Sequence, residues 1–222
     1  MPASEYVPKW YKDIPVTADK KGLAFRDGIS NASIRKCVPF LDAMTAGYII
    51  QLSADVFITQ DLVVDQETKE VKSIPYYSWG YGTELQFHSP AQVPGHPMNT
   101  KEVPVPKFMS NWAIFTPPGY SCMFVHPLNR TDLPFRIMDG IVDTDTYHTS
   151  VNFPFTLKDP NFTGLIKAGT PIAQIIPFKR DSWRMKSGSD EHERKVWLSI
   201  RNLRSRAFNG YRKYFWSKKD FK

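Results

Sequence analysis

An acidic turn offers the clearest chemistry in this 222-residue sequence. Asp143 and Asp145 stand two positions apart in the run Asp143-Thr-Asp-Thr-Tyr147, directly after the apolar pair Ile141-Val142. A carboxylate held close to a phosphorus centre can act as a general base. The same residues also suit Asx turns in a hairpin, because Asp side chains accept hydrogen bonds from nearby backbone N–H groups. The residues alone leave both interpretations open.

The remaining reactive side chains do not form a recognisable site. The histidines lack the paired spacing of metal ligands, which favours loop or surface positions for His88, His96, His126 and His148. Two cysteines, Cys37 and Cys122, are too few for a metal cluster and are predicted to be buried thiols in a reducing compartment. The sequence contains no nucleophile elbow, Walker loop or dinucleotide fingerprint. We therefore expect no metal site and no cofactor.

Strand signals dominate residues 47–178, which must position the acidic turn. Residues 47–59 are rich in β-branched and aromatic types, and 62–65 and 71–74 predict a hairpin around the polar turn 66–69. Further strands are predicted at 112–115, 121–125, 135–142, 150–155 and 172–178. Proline, at 18 of 222 residues, argues against a helical bundle. The sequence predicts an all-β body, a barrel or sandwich, at 36–178, with a long irregular insertion at 75–107.

Both ends of the chain are predicted to be extensions. Residues 1–35 look like an arm with an aromatic anchor, Trp10 and Tyr11, that either straps its own domain or is exchanged with a neighbour. Residues 179–222 carry 14 Lys and Arg against five Asp and Glu, although the other 178 residues have a net charge of −2. Such an asymmetry indicates an appendage with its own role.

The basic extension is predicted to contain an amphipathic helix. Ser189-Asp190 can begin it, and Val196, Ile200, Leu203 and Ala207 form one apolar stripe. Docking against a neighbouring subunit ranks first for this extension, a solvated helix second and nucleic-acid binding third. The predicted interface aromatics are Trp10, Tyr11, Trp79, Tyr81, Tyr211, Tyr214, Phe215 and Trp216. The basic patch consists of Arg201, Arg204, Arg206, Arg212 and Lys213.

Residues 136–178 resemble the dUTPase and dCTP deaminase superfamily. Gly140-Ile-Val-Asp-Thr-Asp-Thr-Tyr147 is similar to that family's Gly-hydrophobic-Ile-Asp-x-Asp-Tyr hairpin. Ile166-Lys-Ala-Gly-Thr-Pro-Ile-Ala-Gln-Ile-Ile176 is similar to its following strand. Earlier in the chain, Ala46-Gly-Tyr48 and Pro117-Pro-Gly-Tyr-Ser121 resemble its first two motifs in the right order. The resemblance implies a β-clip, a small distorted barrel, which commonly assembles as a trimer with sites between subunits.

The resemblance also implies roles for individual residues. Asp143 would orient the attacking water and Tyr147 would pack on the nucleotide base, with Asp145 and Gln174 near the nucleotide and magnesium required. The sequence departs from the pattern, however. One extra residue precedes Tyr147, Ile49 replaces an acidic residue of the first motif, and Gly119-Tyr-Ser121 contains no arginine for phosphate. The family's glycine-rich closing arm is replaced by the basic extension.

These departures favour a non-catalytic homo-oligomer, expected to be a trimer, similar to β-clip proteins that tailed phages encode without the complete catalytic set. A particle component or an accessory protein would fit, with other viral assembly proteins as further partners. The alternatives are a divergent dUTP or dCTP hydrolase using Asp143 and Tyr147, and a nucleic-acid binder. No run of about 18 apolar residues and no signal peptide is found, so we expect host cytoplasm or virion and no membrane.

Overall fold

The computed structural model describes residues 1–18, 25–26, 29–80, 85–97, 104–205 and 210–222. They divide into two compact units. The β unit consists of Met1 and Gly47–Arg180, and the terminal unit consists of Pro2–Ala46 and Asp181–Lys222. Within the described part of the chain, no helix is both long and apolar enough to cross a lipid bilayer.

The terminal unit contains the helices. Its elements are a 3-10 turn at Ala3–Tyr6, α1 (Lys9–Asp13), β1 (Phe25–Arg26), β2 (Ile29–Ser30), a 3-10 turn at Ile34–Lys36, α2 (Val38–Thr45), α3 (Asp190–Ser205) and α4 (Gly210–Tyr214). Pro39 lies in the first turn of α2, where a helix tolerates proline. The predicted C-terminal helix is present as α3. Asp190, Glu191 and Glu193 lie in its first turn, where their negative charges stabilise the positive end of the helix dipole. Its stripe residues Val196 and Ile200 are exposed.

The β unit contains eleven strands among the described residues. They are β3 (Tyr48–Gln51), β4 (Val56–Val64), β5 (Val71–Trp79), β6 (Leu85–His88), β7 (Val105–Phe108), β8 (Tyr120–Val125), β9 (Phe135–Ile137), β10 (Gly140–Val142), β11 (Phe153–Leu157), β12 (Gly164–Ile166) and β13 (Pro171–Lys179). They form sheets in the orders β10-β8-β13-β3, β6-β7-β11-β9 and β12-β4-β5. Every pairing is antiparallel. The prediction of an all-β body is confirmed.

The predicted hairpin is confirmed as β4 and β5, which pair without a break from Val56 opposite Trp79 to Val64 opposite Val71. Asp65 holds the turn, since its carboxylate accepts the N–H groups of Glu67 and Thr68 at 2.9 and 2.8 Å. The base of the hairpin is buried at Val56 and Ile58, whereas its tip exposes Leu62, Val63, Val64 and Val71. The hairpin is therefore an ordered projection with an apolar tip.

The expectation of an irregular insertion at 75–107 is wrong at both ends and for one strand within it. Residues 75–79 complete β5, residues 85–88 form β6, and 105–107 belong to β7. Pro75 is accepted within β5 because that strand is at the edge of its sheet, where a missing N–H costs no ladder bond. Conversely, the strand predicted at 112–115 is reduced to one bridge, between Ala113 and Ser150.

Stacked aromatic rings fill the core of the β unit. Phe108 and Phe155 lie parallel with centroids 4.0 Å apart, and Phe135 meets Phe108 edge-on at 5.1 Å. All three are fully buried. Aromatic pairs contribute about 0.5–1.5 kcal/mol beyond the area that they bury. These rings lie on β7, β9 and β11, and the same core cluster also includes Phe124 of β8 and Ile175 of β13, from the sheet that carries the acidic turn.

Candidate functional site

The acidic turn begins where β10 ends, at Val142. The backbone N–H groups of Thr146 and Tyr147 both donate to the carbonyl of Asp143, at 3.0 and 2.8 Å. Residues 143–147 therefore form a tight turn rather than a strand. The extra residue before Tyr147 consequently does not move the tyrosine side chain to the opposite face of a sheet. The turn places Asp143 and Tyr147 at one depression, whereas Asp145 does not line it.

Arg180, directly after β13, reaches across to both acids. Its guanidinium hydrogen-bonds Asp145 through two nitrogen atoms, with Nη1 at 2.8 Å from Oδ1, and lies 3.2 Å from Asp143 Oδ1. The hydroxyl of Ser121 donates to Asp143 at 2.6 Å, and Gly119 N–H donates to Asp145 at 2.8 Å. Both carboxylates are thus bound by groups of their own chain.

Electrostatics favour this arrangement strongly. The Arg180 guanidinium, with help from the Gly119 N–H, lowers the pKa of Asp145 from its ordinary value to about 2. The Asp145 partnership in turn raises the pKa of Arg180. The Asp145 side chain is only 6% exposed, whereas that of Asp143 is 62% exposed. Asp145 is consequently a structural anion, and Asp143 is the carboxylate that solvent can reach.

Thr144 fixes the turn from the interior. Its buried hydroxyl lies 2.7 Å from the hydroxyl of Thr116 and 3.4 Å from the thiol sulfur of Cys122 on β8. Burial raises the pKa of the Cys122 thiol, which keeps it protonated and unreactive at neutral pH. The predicted burial of a cysteine is confirmed here, but Cys37 is exposed.

Tyr147 is 46% exposed and borders a depression of about 570 Å³. The depression is lined by Ile141, Val142, Asp143, Thr146, Tyr147, Ser150, Val151 and Asn152. These described lining residues include one carboxylate and no Lys or Arg. A nucleoside triphosphate needs several cations or N–H donors around its phosphates, and magnesium needs carboxylate oxygens. Because Asp145 is taken by Arg180 and Gly119, the residues present do not fit either requirement.

Gln174 takes no part in this depression. It is 1% exposed on β13, and its side-chain oxygen accepts the N–H of Leu128 at 2.8 Å. A buried amide that satisfies a loop N–H is a structural residue. The structure therefore separates Gln174 from the two acids with which the resemblance grouped it.

The predicted N-terminal anchor packs inside the terminal unit. Tyr11 is buried, stacks on Phe40 of α2 with centroids 5.7 Å apart, and lies 5.7 Å below the guanidinium carbon of Arg35. Trp10 meets Tyr11 edge-on at 6.0 Å. In the β unit, Trp79 is exposed on β5. Tyr81 lies outside the described residues.

The C-terminal aromatics and cations largely engage one another. Trp216 donates its ring N–H to Asp42 of α2 at 2.8 Å, and Lys219 pairs with the same carboxylate at 2.6 Å. Arg201 lies over Trp197, Arg212 over Trp216 and Lys213 over Tyr214, each at 5.3–5.6 Å. Tyr211, Tyr214 and Phe215 remain partly exposed. The Arg204 side chain and Arg206 lie outside the described residues.

Sequence reasoning missed Arg180 and Ser121. The boundary predicted after residue 178 assigns Arg180 to the basic extension, whereas Arg180 belongs to the β unit. Its position directly after the last predicted strand was the only available signal, and that signal does not identify a partner 35 residues away. Across the described ranges, no three His, Cys, Asp or Glu side chains cluster closely enough to hold a metal ion. No protein-family model matches this chain, and no curated protein matches it significantly.

Proposed function

We propose that this chain is a non-catalytic, homo-oligomeric assembly protein built on a dUTPase-like β-clip, of the kind that tailed phages encode as a particle component or accessory protein. The placement of the family-like motifs supports the fold. Strands β3, β8, β10 and β13 each carry part of one motif, and all four belong to a single sheet in the order β10-β8-β13-β3.

One observation carries the non-catalytic assignment. The depression beside Asp143 and Tyr147 is lined by one carboxylate and, among the described residues, by no cation. Arg180, which could have met a phosphate, is engaged by Asp145 and Asp143. A triphosphate brought to this depression would face an uncompensated negative charge, which disfavours its binding. The acidic pair serves instead to join the turn to the end of β13.

Exposed apolar surface supports an assembly role. The tip of the β4–β5 hairpin presents Leu62, Val63, Val64 and Val71 to solvent on an ordered support. Clustered apolar residues on a projecting element are typical of protein–protein contacts. Because the hairpin turn is already fixed by Asp65, such a contact would cost little ordering entropy.

Two measurements test this proposal together. Isothermal titration with dUTP, dCTP and their non-hydrolysable analogues in the presence of magnesium should give no heat of binding, and pyrophosphate release should stay at background. Sedimentation velocity should show an oligomer, with a trimer expected. Either nucleotide turnover that disappears in Asp143→Asn or a monomeric wild-type chain would refute the proposal.

A divergent dUTP or dCTP hydrolase is the second candidate. It is favoured by the exposure of Asp143 and Tyr147 on one turn, which leaves a carboxylate and an aromatic ring facing solvent together. Turnover should then depend on both side chains, so Asp143→Asn and Tyr147→Ala would each abolish it. Asp61→Asn, at an exposed carboxylate on the β4–β5 hairpin, is the matched control.

A further inference from the structure

A cavity of about 1000 Å³ in the β unit shares no lining residue with the depression beside the acidic turn. Its walls come from β3 and the residues that follow it, from the segment 112–117, and from parts of β8 and β13. Most of the lining is apolar, and the rings of Trp112 and Phe115 are about two-thirds exposed at its border. A groove of this size and character accommodates several side chains of an extended peptide.

One wall of the groove is an edge strand. In the sheet order β10-β8-β13-β3, strand β3 has a neighbour on one side only. On its other side Ile49 exchanges two hydrogen bonds with Met1, its N–H donating at 2.8 Å and its carbonyl accepting from the Met1 amino group at 3.3 Å. A mutual exchange between two residues is the pattern of an antiparallel strand pair. Met1 thus shows how a further strand would pair with β3.

Gln51 is the next residue on β3 that can accept such a strand. Leu52 bonds on the opposite side, its N–H to Thr170 and its carbonyl from Gly169, both at 2.8 Å. Because backbone groups alternate along a strand, Gln51 N–H and C=O face the same side as those of Ile49. Gln51 also lines the cavity. An edge with outward N–H and C=O groups is a template for strand addition.

A matching donor segment exists in the same sequence. Residues 182–186, Ser-Trp-Arg-Met-Lys, have no regular secondary structure. Trp183 is 90% exposed and Met185 is 98% exposed, more than any other large apolar side chain among the described residues. In an extended chain these two side chains fall on one face, and Ser182, Arg184 and Lys186 fall on the other. The segment therefore has the alternation of a strand with one apolar and one solvated face.

We infer that the β3 groove receives residues 182–186 of a second copy as an added antiparallel strand, with Trp183 and Met185 in the cavity. The inference deepens and rests on the proposed function, since it supplies a contact for the oligomer. A second copy is the indicated occupant because every copy carries both an edge position at Gln51, next to the Met1 pairing, and an exposed donor, which a closed ring of subunits satisfies together. Methionine and indole groups also make favourable contacts with aromatic residues such as Trp112 and Phe115.

The first test removes the donor. The full-length Trp183→Ala/Met185→Ala variant should sediment as a smaller species than the wild type, with an unchanged circular dichroism spectrum, because both side chains are exposed within their own chain. Phe57→Ala/Leu165→Ala removes two exposed apolar side chains from paired positions on β4 and β12, which neither proposal uses, and is the matched control. It should sediment like the wild type.

The second test supplies the donor separately. A fluorescein-labelled peptide of residues 181–188 should bind the Trp183→Ala/Met185→Ala variant saturably. The affinity should fall at least about tenfold when Trp112 and Phe115 are also changed to alanine. The same peptide N-methylated at Arg184 and Met185 keeps its side chains but loses strand hydrogen bonds, and it should not bind.

The two proposals fail in different ways. Absence of saturable peptide binding, equal binding of the methylated peptide, or persistence of the wild-type oligomer in the donor variant would each overturn the strand-addition inference. An oligomer that persists in the donor variant would still leave the proposed assembly function standing. Nucleotide turnover would refute that function irrespective of the peptide result.

Discussion

The guanidinium of Arg180 binds the carboxylate of Asp145 through two nitrogen atoms, one of them at 2.8 Å from Oδ1. The contact joins the residue that follows β13 to the turn that follows β10, although these strands are not neighbours in their sheet. Arg180 also donates to the carbonyl of Tyr120 at 3.2 Å. The Arg180 side chain therefore connects the end of β13, the acidic turn and the start of β8, at the place where the resemblance predicted catalysis.

The first prediction concerns the acid stability of this contact. The pKa of Asp145 is lowered to about 2 in the folded protein, below its ordinary value of about 3.9. The folded state therefore binds fewer protons than the unfolded state, so the contribution is complete above pH 4 and is lost as the pH falls toward 2. The melting temperature of Asp145→Asn should be several degrees lower at pH 7 and should converge on that of the wild type near pH 2.

Thermal melts followed by circular dichroism at half-unit pH intervals measure this difference. Asp220→Asn, at an exposed carboxylate near the C-terminus, is the matched control and should follow the wild-type curve. Arg180→Lys should behave like Asp145→Asn, because an ammonium group cannot reproduce the two-nitrogen contact. Parallel curves for Asp145→Asn and wild type at all pH values would contradict the structural role.

The second prediction concerns Gly47, which precedes β3. Its φ is +67°, and a Cβ added there would lie 1.9 Å from the carbonyl oxygen of Ile175 on β13. Gly47→Ala should destabilise the protein by at least about 3 kcal/mol, because the clash is with backbone and adds to the strain of the positive φ. Gly95 has a similar φ of +71° but open space around it. Gly95→Ala should cost only about 1 kcal/mol, and urea denaturation compares the two.

If Gly95→Ala lowered the free energy of unfolding as much as Gly47→Ala, backbone strain alone, rather than the clash with Ile175, would account for both losses. The comparison also bears on the resemblance, since Gly47 belongs to the segment that resembles the family's first motif. The structure explains why glycine is needed at this position, because the chain must approach β13 closely at the start of β3.

The third prediction assigns Gln174 to stability. Its side-chain oxygen satisfies the N–H of Leu128 in the buried interior, so Gln174→Leu would leave a donor without its partner. The free energy of unfolding should fall by about 2 kcal/mol in urea denaturation. Gln66→Leu, in the exposed hairpin turn, should change it by less than about 0.5 kcal/mol. Equal effects of the two substitutions would remove the role assigned to the buried amide.

The elements that sequence predicted well are those that depend on local signals. The β4–β5 hairpin follows from the polar residues of its turn, and α3 follows from its acidic start and apolar spacing. The prediction of a loop at Pro75 is wrong because a strand tolerates this proline at the edge of a sheet, and only the sheet order shows that β5 is an edge strand. Residues 112–115 have strand composition, yet only Ala113 pairs. A segment whose composition is typical of a strand therefore need not pair with other strands.

The candidate site was predictable only in part for a related reason. Asp143, Asp145 and Tyr147 are sequence neighbours, so their proximity follows from any tight turn. Their chemistry depends on Arg180 and Ser121, which approach from 22 and more positions away. Contacts at such separations are set by the sheet order rather than by local sequence, so the binding of both carboxylates by Arg180 could not be predicted.

The fourth prediction concerns the C-terminal tail. Asp42 of α2 binds both the Trp216 ring N–H and the Lys219 ammonium, so Asp42→Ala removes two attachments of the tail at once. Limited trypsin digestion should then cleave after Lys213 and Lys218 several-fold faster than in the wild type, as measured by mass spectrometry. Asp220→Ala removes a carboxylate near exposed lysines only and is the matched control.

The same variant separates docking from nucleic-acid binding. In the folded tail, Lys219 is paired with Asp42 and Arg212 lies over Trp216, so both cations already have partners within the chain. If the tail bound nucleic acid, releasing it in Asp42→Ala would strengthen binding of a single-stranded oligonucleotide and make that binding steeply salt-dependent. We expect no such gain in fluorescence anisotropy. Unchanged proteolysis in Asp42→Ala would instead show that the tail is held by contacts other than these two.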